Sequence, residues 1–396
     1  MMKMNFEDLK LNPQLLKAVT ELGFSELMQI QEKCIQLIRD GKDVVGQSST
    51  GSGKTLAFGL PILEKIELGN GIQSLILTPT RELCVQVTEA LRSFGKYTGV
   101  SVTSVFGGVS IEPQISALRK ADIVVGTPGR ILDHLSRGTI KFDRVRFLVI
   151  DEADRLFEMG FIEDVERIIR VTPKKRQTML FSATMPSEIK HIVEKHLVSP
   201  VTIKGVVYVD TSLLRHVYYD VKPYDKFSLL VHLLKQNAEG IALIFVATRR
   251  EADIVATNLK AQDINAEAIH GGMEQNKRLK SVEALKNETI RALVATDVAA
   301  RGLDIRNVSH VYNYDVPKSS SDYIHRVGRT ARAGEEGDAV TLLSERDHDN
   351  FARVLRDRSL KITKAEKPVF ERVAFKQEER RSGFRRRTFG GYRKRF

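Results

Sequence analysis

The stretch that decides the fold is Phe147-Leu148-Val149-Ile150-Asp151-Glu152-Ala153-Asp154. Four consecutive apolar residues predict a buried parallel strand, and two carboxylates follow at its C-terminal end. Ligands of open α/β sheets bind at that edge of the sheet. An acid pair there suits a magnesium ion, which prefers oxygen ligands and is usually shared with substrate phosphates. The alternative is a strand that ends in a charged turn, and it is excluded if the chain also carries a phosphate-binding loop.

Such a loop is present at Ser48-Ser49-Thr50-Gly51-Ser52-Gly53-Lys54-Thr55, between a predicted strand and a predicted helix over residues 56–66. Glycines let backbone N–H groups converge on phosphate oxygens, and a helix N-terminus adds its positive end. Lys54 would reach the terminal phosphates, while Thr55 and Asp151 would hold the magnesium ion. Ser48 stands where the general pattern has glycine. Together with Asp151 and Glu152, the loop predicts a nucleoside triphosphatase.

The overall composition is that of a globular chain with a basic end. A length of 396 residues predicts two domains and an appendage, and 42% apolar residues are sufficient for packed cores. No apolar run approaches the ~20 residues that a membrane span requires. The two cysteines, Cys34 and Cys84, have no spacing typical of a disulfide or metal site, which favours a cytoplasmic protein.

The net charge of +12 is concentrated at the C-terminus. Residues 372–396 hold ten Lys or Arg and two Glu, a net +8, so the rest of the chain is close to balanced. A balanced body with a basic tail predicts a polyanionic partner, and nucleic acid is the first candidate.

Short apolar runs alternate with helical periodicity through most of the chain, which predicts parallel sheets with helices on both faces. The rhythm breaks near residues 200–214 and then resumes. We therefore predict a first α/β domain over residues 1–202, a linker over 203–214, a second α/β domain over 215–362 and a disordered Arg-rich tail over 363–396.

Further motifs follow in order along the chain. The motifs are Gln29-Ile30-Gln31, Pro79-Thr80-Arg81-Glu82-Leu83, Gly107-Gly108, Thr127-Pro128-Gly129-Arg130, Ser182-Ala183-Thr184, Phe245-Val246-Ala247-Thr248, Gln275-Asn276-Lys277-Arg278, Ala295-Thr296-Asp297 and His325-Arg326-Val327-Gly328-Arg329-Thr330-Ala331-Arg332. With the phosphate loop and the acid pair, they make the chain resemble the DEAD-box ATP-dependent RNA helicases from about Phe6 to Leu360. The resemblance implies two tandem RecA-like domains, and that family accepts serine at the position of Ser48.

The resemblance implies a site for ATP and Mg²⁺ in the first domain. Gln31 corresponds to a glutamine that reads adenine, since its amide can match the N6–H and N7 groups of the base together. Phe6 corresponds to an aromatic residue that stacks on the base. The complete set of predicted nucleotide-binding residues is Phe6, Phe24, Gln31, Ser48, Ser49, Thr50, Gly51, Ser52, Gly53, Lys54, Thr55, Gly302 and Asp304.

The catalytic groups implied by the resemblance come from both domains. Lys54 and Asp151 neutralise charge, Glu152 activates the water, and Arg329 and Arg332 act as arginine fingers from the second domain. A smaller set is expected to couple the domains, with His325 and Arg326 touching the region of Asp154 and Ser182–Thr184. The coupling residues are Asp154, Ser182, Thr184, Asp297, His325 and Arg326. An exposed basic helix with ordinary ion pairs is the alternative for Arg326.

RNA contacts implied by the resemblance are made mainly with the backbone, which carries no base information, so little sequence preference is expected. The predicted contacts are Thr80, Arg81, Gly108, Thr127, Gly129, Arg130, Arg249, Gln275, Arg278 and Thr296. The aromatic and arginine residues of the tail would add affinity. The first interpretation is a helicase that opens short duplexes locally. An ATP-gated RNA clamp or annealing chaperone is the alternative, and a DNA translocase is disfavoured.

Overall fold

The computed structural model describes residues 4–48, 53–204, 214–237, 239–300, 308–330, 337–358 and 360–377. Within these residues the chain forms two sheets of seven parallel strands each, with helices packed on them. The predicted fold class, two tandem α/β domains with parallel sheets, is therefore confirmed. The described helices include none that is long and apolar enough to cross a bilayer.

The first domain contains helices and strands in regular alternation after two leading helices. Its strands are β1 (Val44–Gln47), β2 (Ser74–Leu77), β3 (Val102–Val105), β4 (Ile123–Gly126), β5 (Phe147–Ile150), β6 (Gln177–Ser182) and β7 (Val201–Lys204). Its helices are α1 (Pro13–Glu21), α2 (Gln29–Arg39), α3 (Lys54–Lys65), α4 (Arg81–Phe94), α5 (Glu112–Leu118), α6 (Pro128–Ser136), α7 (Ala153–Glu158), α8 (Ile162–Arg170) and α9 (Ser187–His196). The strand order is β3-β4-β2-β5-β6-β1-β7.

The second domain follows the same plan. Its strands are β8 (Leu214–Asp220), β9 (Ile241–Val246), β10 (Ala266–Ile269), β11 (Ala292–Thr296), β12 (Val308–Asn313), β13 (Gly337–Leu343) and β14 (Thr363–Lys364). Its helices are α10 (Lys226–Gln236), α11 (Arg249–Lys260), α12 (Gln275–Lys286), α13 (Asp297–Ala300), α14 (Ser320–Val327) and α15 (His348–Leu355). The order β10-β11-β9-β12-β13-β8-β14 repeats that of the first sheet strand for strand.

The central strand β5 shows why an apolar run forms this layered structure. Phe147 and Val149 pack into the apolar core on one face of the sheet, and Leu148 and Ile150 pack into the core on the other face. Successive side chains of a strand point to opposite faces, so a strand covered by helices on both sides is apolar throughout. Burying each such side chain contributes about 1.5–3 kcal/mol relative to exposure. The run therefore ends at Asp151, where the strand meets the sheet edge.

The C-terminal end of each domain differs from the sequence-based boundary. Strand β7 runs to Lys204, beyond the predicted end of the first domain at residue 202, and pairs with β1. At the C-terminal end of the second domain, β14 pairs with β8, and residues 363–377 lie along that domain as a segment that we call the strap. The sequence pattern alone places residues 363–377 in the tail.

Aromatic and polar contacts hold the strap in place. Phe370 and Phe375 pack against His232 and Phe227, with ring centroids 6.2 and 4.7 Å apart. The backbone N–H of Lys376 donates to the side chain of Asn258 at 2.8 Å, and the Asn258 amide donates back to the Lys376 carbonyl at 3.0 Å. The strap thus belongs to the second domain, and the remaining tail residues, 378–396, lie outside the described residues.

Candidate functional site

The phosphate loop begins where the sequence predicted, at the C-terminal end of β1. Ser48 is buried, and its carbonyl accepts a hydrogen bond from Lys54 Nζ at 3.1 Å. Gly53 has φ +79°, a left-handed conformation that favours glycine, and it precedes the first turn of α3. Lys54 and Thr55 are therefore the first two residues of a helix whose positive end faces the loop. The predicted contacts Ser49, Thr50, Gly51 and Ser52 lie outside the described residues.

Asp151 and Glu152 stand beside this loop at the same sheet edge. Asp151 is 3% exposed, and burial, with a further contribution from Glu152, raises the pKa of Asp151 to about 6, although Lys54 acts in the opposite direction. Glu152 has φ +48°, a left-handed conformation that is uncommon for a residue other than glycine. Strained backbone of this kind costs roughly 1–3 kcal/mol and occurs preferentially at functional sites.

The groups at this edge fit a magnesium ion carried by a nucleotide. Asp151 offers a carboxylate whose negative charge is disfavoured by burial, and a divalent cation would stabilise that charge. Thr55, at the start of α3, carries a hydroxyl oxygen. Two oxygen donors are few for a protein-only site but are the usual protein share where phosphates complete the coordination. The described residues accordingly contain no cluster of three or more His, Cys, Asp or Glu side chains with metal-site geometry.

Gln31 lies directly against the phosphate loop. Its Oε1 accepts a hydrogen bond from the N–H of Met28 at 2.8 Å, and its Nε2 donates to the carbonyl of Gly53 at 3.3 Å. A side chain at position 53 would collide with Gln31, since a Cβ there would lie 2.2 Å from Nε2. The predicted adenine-reading residue is thus connected to the loop that would hold the phosphates of the same nucleotide.

The prediction for Phe6 does not fit the structure. Its ring is 2% exposed and belongs to the apolar core of the first domain, 6.2 Å from the ring of Phe24. A base can stack only on a ring with an open face, so Phe6 is a core residue here. Phe24 is only partly buried and packs on the same core.

The coupling residues of the first domain form one hydrogen-bonded group. Asp154 Oδ2 accepts from the N–H and the hydroxyl of Thr184, at 3.0 and 3.2 Å. The Ser182 hydroxyl accepts from the N–H of Asp154 at 3.1 Å and donates to the carbonyl of Thr184 at 2.7 Å. The turn after β6 is therefore tied to the acid motif after β5, as coupling between these two segments requires.

Arg326 has different partners from those expected. Its guanidinium donates to both carboxylate oxygens of Asp297, at 2.6 and 2.8 Å, and to Asn313 Oδ1 and the Asp315 carbonyl, at 3.0 and 2.6 Å. All four bonds stay within the second domain, whereas the resemblance predicts a contact with Asp154 and residues 182–184. Arg326 is 3% exposed, and a buried guanidinium needs such a complete set of acceptors.

The remaining groups of the second domain cluster around that ion pair. His325 and Arg329 line a small cavity together with Asp297, and Arg329 is 4% exposed. Their predicted roles as a coupling residue and an arginine finger stay predictions. The predicted contacts Gly302 and Asp304 and the second finger, Arg332, lie outside the described residues.

The predicted RNA residues of the first domain lie just after the ends of β2, β3 and β4. Thr80 caps α4, its hydroxyl accepting from the N–H of Leu83 at 3.2 Å. The Arg81 side chain crosses directly over Gly108, where a Cβ would lie 1.9 Å from Arg81 Nη1. Glycine is therefore required at 108 if Arg81 is to keep this position.

The second domain repeats this unit at the equivalent strand. Thr248 caps α11, its hydroxyl accepting from the N–H of Glu251 at 3.1 Å. The Arg249 side chain lies over Gly271, where a Cβ would be 3.4 Å from Arg249 Nη2. Because β9 occupies the place of β2 in the common strand order, the two arginines are counterparts.

Direct hydrogen bonds join the two domains at the RNA motifs. Arg81 Nη1 donates to Gln275 Oε1 at 3.2 Å, and Gln275 Nε2 donates to Glu82 Oε1 at 2.8 Å. Arg278 forms an ion pair with the same Glu82 oxygen at 3.0 Å. Glu82 is 2% exposed, and burial lowers the pKa of Arg81 below its usual value. The sequence motif predicts no role for Glu82, although it directly follows an RNA-contact arginine.

A cavity of about 440 Å³ opens beside this junction and lies between the domains. Its walls include the predicted RNA residues Thr80, Arg81, Thr127, Gly129, Arg130 and Arg278. Gly271, beneath Arg249, and Val298, close to Thr296, also line it. The structure therefore places five predicted RNA contacts of the first domain, and Arg278 of the second, around one groove.

Replacing Glu82 by glutamine is expected to weaken the interdomain junction without altering its shape. The amide can still accept from Gln275, but the ion pair with Arg278 is removed. Hydrogen bonds to charged groups contribute about 1.5–3 kcal/mol, so RNA affinity in the presence of an ATP analogue should fall by about tenfold or more. Fluorescence anisotropy with labelled single-stranded RNA measures this. Glu89→Gln, on the exposed side of the same helix, is the control, and equal affinities in the two variants would contradict the prediction.

Replacing Lys54 by alanine is expected to weaken ATP binding itself. The variant lacks the ammonium group that would meet the terminal phosphates, a charge-assisted interaction of about 1.5–3 kcal/mol, or roughly one to two orders of magnitude in Kd. Equilibrium titration with a fluorescent ATP analogue, without RNA, measures the change. Lys33→Ala, exposed on the neighbouring helix, should bind normally. Normal binding by Lys54→Ala would remove Lys54 from the site.

Comparison with known proteins agrees with this geometry. Residues 28–192 match the family described as "DEAD/DEAH box helicase", and residues 225–334 match "Helicase conserved C-terminal domain". The ATP-dependent RNA helicase CshA of Limosilactobacillus reuteri is 43% identical over 376 residues, which are 94% of this chain and 76% of that protein. The DEAD-box ATP-dependent RNA helicase CshA of Geobacillus kaustophilus is also 43% identical, over 92% of this chain and 79% of that one.

Solved structures of similar proteins match the chain over most of its length. Saccharomyces cerevisiae Dbp5 bound to RNA and ADP BeF3 is 30% identical and superimposes with a TM-score of 0.83, covering 91% of this chain and 95% of that one. A DEAD box protein from Methanococcus jannaschii is 40% identical but superimposes with a TM-score of only 0.56, covering 92% and 99%. The more similar sequence thus superimposes less well, although the coverage is similar.

Proposed function

The chain belongs to the DEAD-box helicase family, and on that premise we propose that it is an ATP-dependent RNA helicase. It binds RNA across the interdomain groove, separates short duplexes locally and releases RNA when ATP is hydrolysed to ADP and phosphate. The observation that carries this proposal is the junction of Arg81 and Glu82 with Gln275 and Arg278, beside a groove lined by the RNA motifs of both domains.

In the first domain, the loop and the acid pair perform the nucleotide chemistry. Lys54 binds the terminal phosphates, while Thr55 and Asp151 hold Mg²⁺, which supplies charge neutralisation to the phosphates when bound. Glu152 orients the attacking water and accepts its proton. Gln31 binds the adenine edge, and its contact with Gly53 connects base recognition to the phosphate loop.

The second domain contributes arginines that become useful only when the domains meet. Arg329, with Arg332, would stabilise the charge that develops on the transferred phosphoryl group. The same approach of the domains forms the Glu82 junction, so RNA binding and arginine placement depend on one movement. Hydrolysis would therefore be stimulated by RNA, and hydrolysis would in turn release the RNA.

RNA is bound mainly through its backbone. Hydroxyls, glycines and arginine side chains such as Thr127, Gly129 and Arg130 line the groove, and these groups suit phosphate and sugar oxygens rather than base edges. Little sequence preference follows. A strand held across two domains in one bent path cannot remain paired over that length, and this provides local strand separation.

The decisive experiment is ATPase activity measured with and without single-stranded RNA. We expect strong stimulation by RNA and little by single-stranded DNA of the same sequence. ATPase that is indifferent to RNA would refute the proposal, and equal stimulation by DNA would assign the chain to DNA. A short RNA duplex, incubated with and without ATP, then separates a helicase from an ATP-gated clamp or annealing chaperone, which would leave the strands paired.

The tail is proposed to add RNA affinity. Residues 378–396 hold eight Lys or Arg, two Glu and several aromatic residues, a composition that binds phosphates and stacks on exposed bases. Truncation after Gln377 is expected to weaken RNA binding and to lower the slope of log Kd against log salt by ~0.7 for each phosphate that the tail neutralises, while the maximal ATPase rate stays unchanged. Salt titrations of Kd measure both. Truncation at residue 362 is unsuitable, since it also removes the strap.

We also propose a cytoplasmic location. Cys34 and Cys84 are free thiols and both are buried. Burial raises the pKa of each thiol to about 12, so both are inert side chains of the core. Free cysteines used only as packing residues are typical of reducing compartments.

A further inference from the structure

A buried ion-pair network lies inside the second domain, and the chemistry described so far makes no use of it. Lys226, the first residue of α10, is 2% exposed, and its ammonium contacts Asp315 at 3.2 Å and Asp347 at 2.9 Å. A lysine is unfavourable at a helix N-terminus because the helix dipole is positive there. Burying its charge as well is costly, so the surroundings must compensate through the two carboxylates.

The position of this network in the fold is informative. Because the two sheets share one strand order, β8 corresponds to β1 and β12 corresponds to β5. Lys226 begins the helix that follows β8, as Lys54 begins the helix that follows β1. Asp315 follows β12 as Asp151 follows β5. The pair Lys226–Asp315 is thus the counterpart, in the second domain, of the lysine and acid of the ATP site.

The second domain cannot use this pair to bind a nucleotide. The segment between β8 and α10, Val221-Lys222-Pro223-Tyr224-Asp225, contains no glycine, and its proline lacks an N–H group, so it forms no phosphate cradle. The carboxylate of Asp347 contacts the lysine ammonium instead. An internal carboxylate therefore provides the negative charge that a phosphate would provide in the first domain.

Asp315 joins three strand ends at the edge that faces the first domain. Its Oδ2 accepts from the N–H of Ala247 at 2.8 Å, two residues before the RNA-contact candidate Arg249. Its backbone carbonyl accepts from Arg326 at 2.6 Å, and Arg326 holds Asp297. Asp315 thus connects the loop that precedes Arg249 with Arg326 in α14, the helix that ends two residues before the predicted finger Arg329. Lys226 contacts the carboxylate of Asp315.

We propose that Lys226, acting through Asp315, is a positioning residue. It fixes the loop that precedes the predicted RNA contact Arg249 relative to α14, the helix that contains Arg326. The site has the same position in the second sheet as the phosphate-binding edge has in the first, and the carboxylate of Asp347 takes the place of the phosphate. Through this contact the second domain moves as one rigid unit, so RNA bound at Arg249 moves Arg326 and Arg329 with it. The inference rests on the proposed function, since it concerns how RNA binding reaches the ATP site.

The other charged groups around Asp315 complete a network of near-neutral charge. Arg346 contacts Asp315 at 2.7 Å and Glu251 at 3.4 Å. Burial, followed by the neighbouring Asp315, raises the pKa of Glu251. The network therefore contains two cations and three carboxylates, of which Glu251 is the one with the raised pKa. Removing only the Lys226 charge would leave Asp315 with Arg346 as its remaining ionic partner.

The test is Lys226→Met, which keeps the length of the side chain and removes its charge. We expect the RNA concentration for half-maximal ATPase to rise by about tenfold or more, the effect of removing one hydrogen bond to a charged group. The Kd for an ATP analogue without RNA should stay within about twofold, because that site lies in the first domain. Leu233→Ala, in the apolar face of the same helix, is the control for destabilisation, with thermal unfolding measured for both.

The outcomes are separable. A rise in the RNA requirement of Lys226→Met, beyond that of Leu233→Ala at a comparable decrease in melting temperature, supports the inference. Equal behaviour of the two variants overturns it. If Lys226→Met does not fold, Lys226→Met/Asp347→Asn removes one cation and one anion together, and the same two readouts decide. Unstimulated wild-type ATPase would overturn the proposed function as well, whereas a stimulated wild type with an unaffected Lys226 variant overturns this inference alone.

Discussion

Replacing Glu152 by glutamine is expected to reduce ATP turnover by about 10²- to 10⁴-fold, the usual contribution of a positioned general base. The amide has the shape of the carboxylate but cannot accept the proton of the attacking water. Glu152 stands at the end of β5, beside the buried Asp151, in a left-handed conformation that glutamine can keep as well as glutamate. Steady-state phosphate release with saturating RNA measures the change.

Binding should survive the same substitution. Since Lys54 and Asp151 are unchanged, Glu152→Gln should retain its affinity for ATP and should hold RNA longer, because the step that releases it is blocked. Dissociation of labelled RNA in the presence of ATP measures this. Glu163→Gln, exposed on α8, should behave as wild type in both assays. Normal hydrolysis by Glu152→Gln would show that another group activates the water.

Replacing Arg329 by alanine is expected to lower the RNA-stimulated kcat by about 10³-fold or more, the smallest effect typical of an arginine finger. The arginine belongs to the second domain, so ATP binding by the first domain should not change. Arg329 is almost fully buried and lies beside the Asp297 cavity, so its removal also has a structural cost. Single-turnover hydrolysis with excess enzyme isolates the chemical step from RNA release.

A lysine at the same position separates the two effects. Arg329→Lys keeps a positive charge but lacks the planar guanidinium that contacts two phosphate oxygens at once. We expect its kcat to remain far below that of wild type while its melting temperature lies closer to wild type than that of the alanine variant. Arg353→Ala, exposed on α15, is the surface control. A lysine variant with full activity would assign Arg329 a structural role.

Most of the fold could be predicted because its strands are buried on both faces. An apolar run such as Phe147–Ile150 has only one favourable environment, the middle of a sheet covered by helices, and it forms the central strand β5. Two of the four edge strands, β7 and β14, were missed. Strand β14 has only two residues, both exposed, and β7 has one buried residue of four. Such strands form because a neighbouring strand offers unpaired backbone groups. Their own sequences show no alternation of apolar and polar residues from which a strand could be predicted.

The site was predicted less completely because side-chain partners depend on distant parts of the chain. The resemblance assigns Phe6 to the base, but its ring is part of the apolar core. It assigns Arg326 a contact with the first domain, but its donors bind Asp297, Asn313 at the end of β12 and the backbone carbonyl of Asp315. The role of Glu82 could not be predicted, since its partners Gln275 and Arg278 become neighbours only when two separately folded units meet.

The strap also determines which proteolytic fragments of the chain should be stable. Its first residues pair with β8, the strand at which the second domain begins. The two ends of that domain therefore stabilise each other through backbone hydrogen bonds. A cut after residue 377 would leave the strap intact, whereas a cut near residue 368 would detach the contacts of Phe370 and Phe375 and the hydrogen bonds to Asn258 together. Limited proteolysis should consequently yield a protease-resistant fragment that ends near Gln377. Shorter products should accumulate only under conditions in which that fragment unfolds.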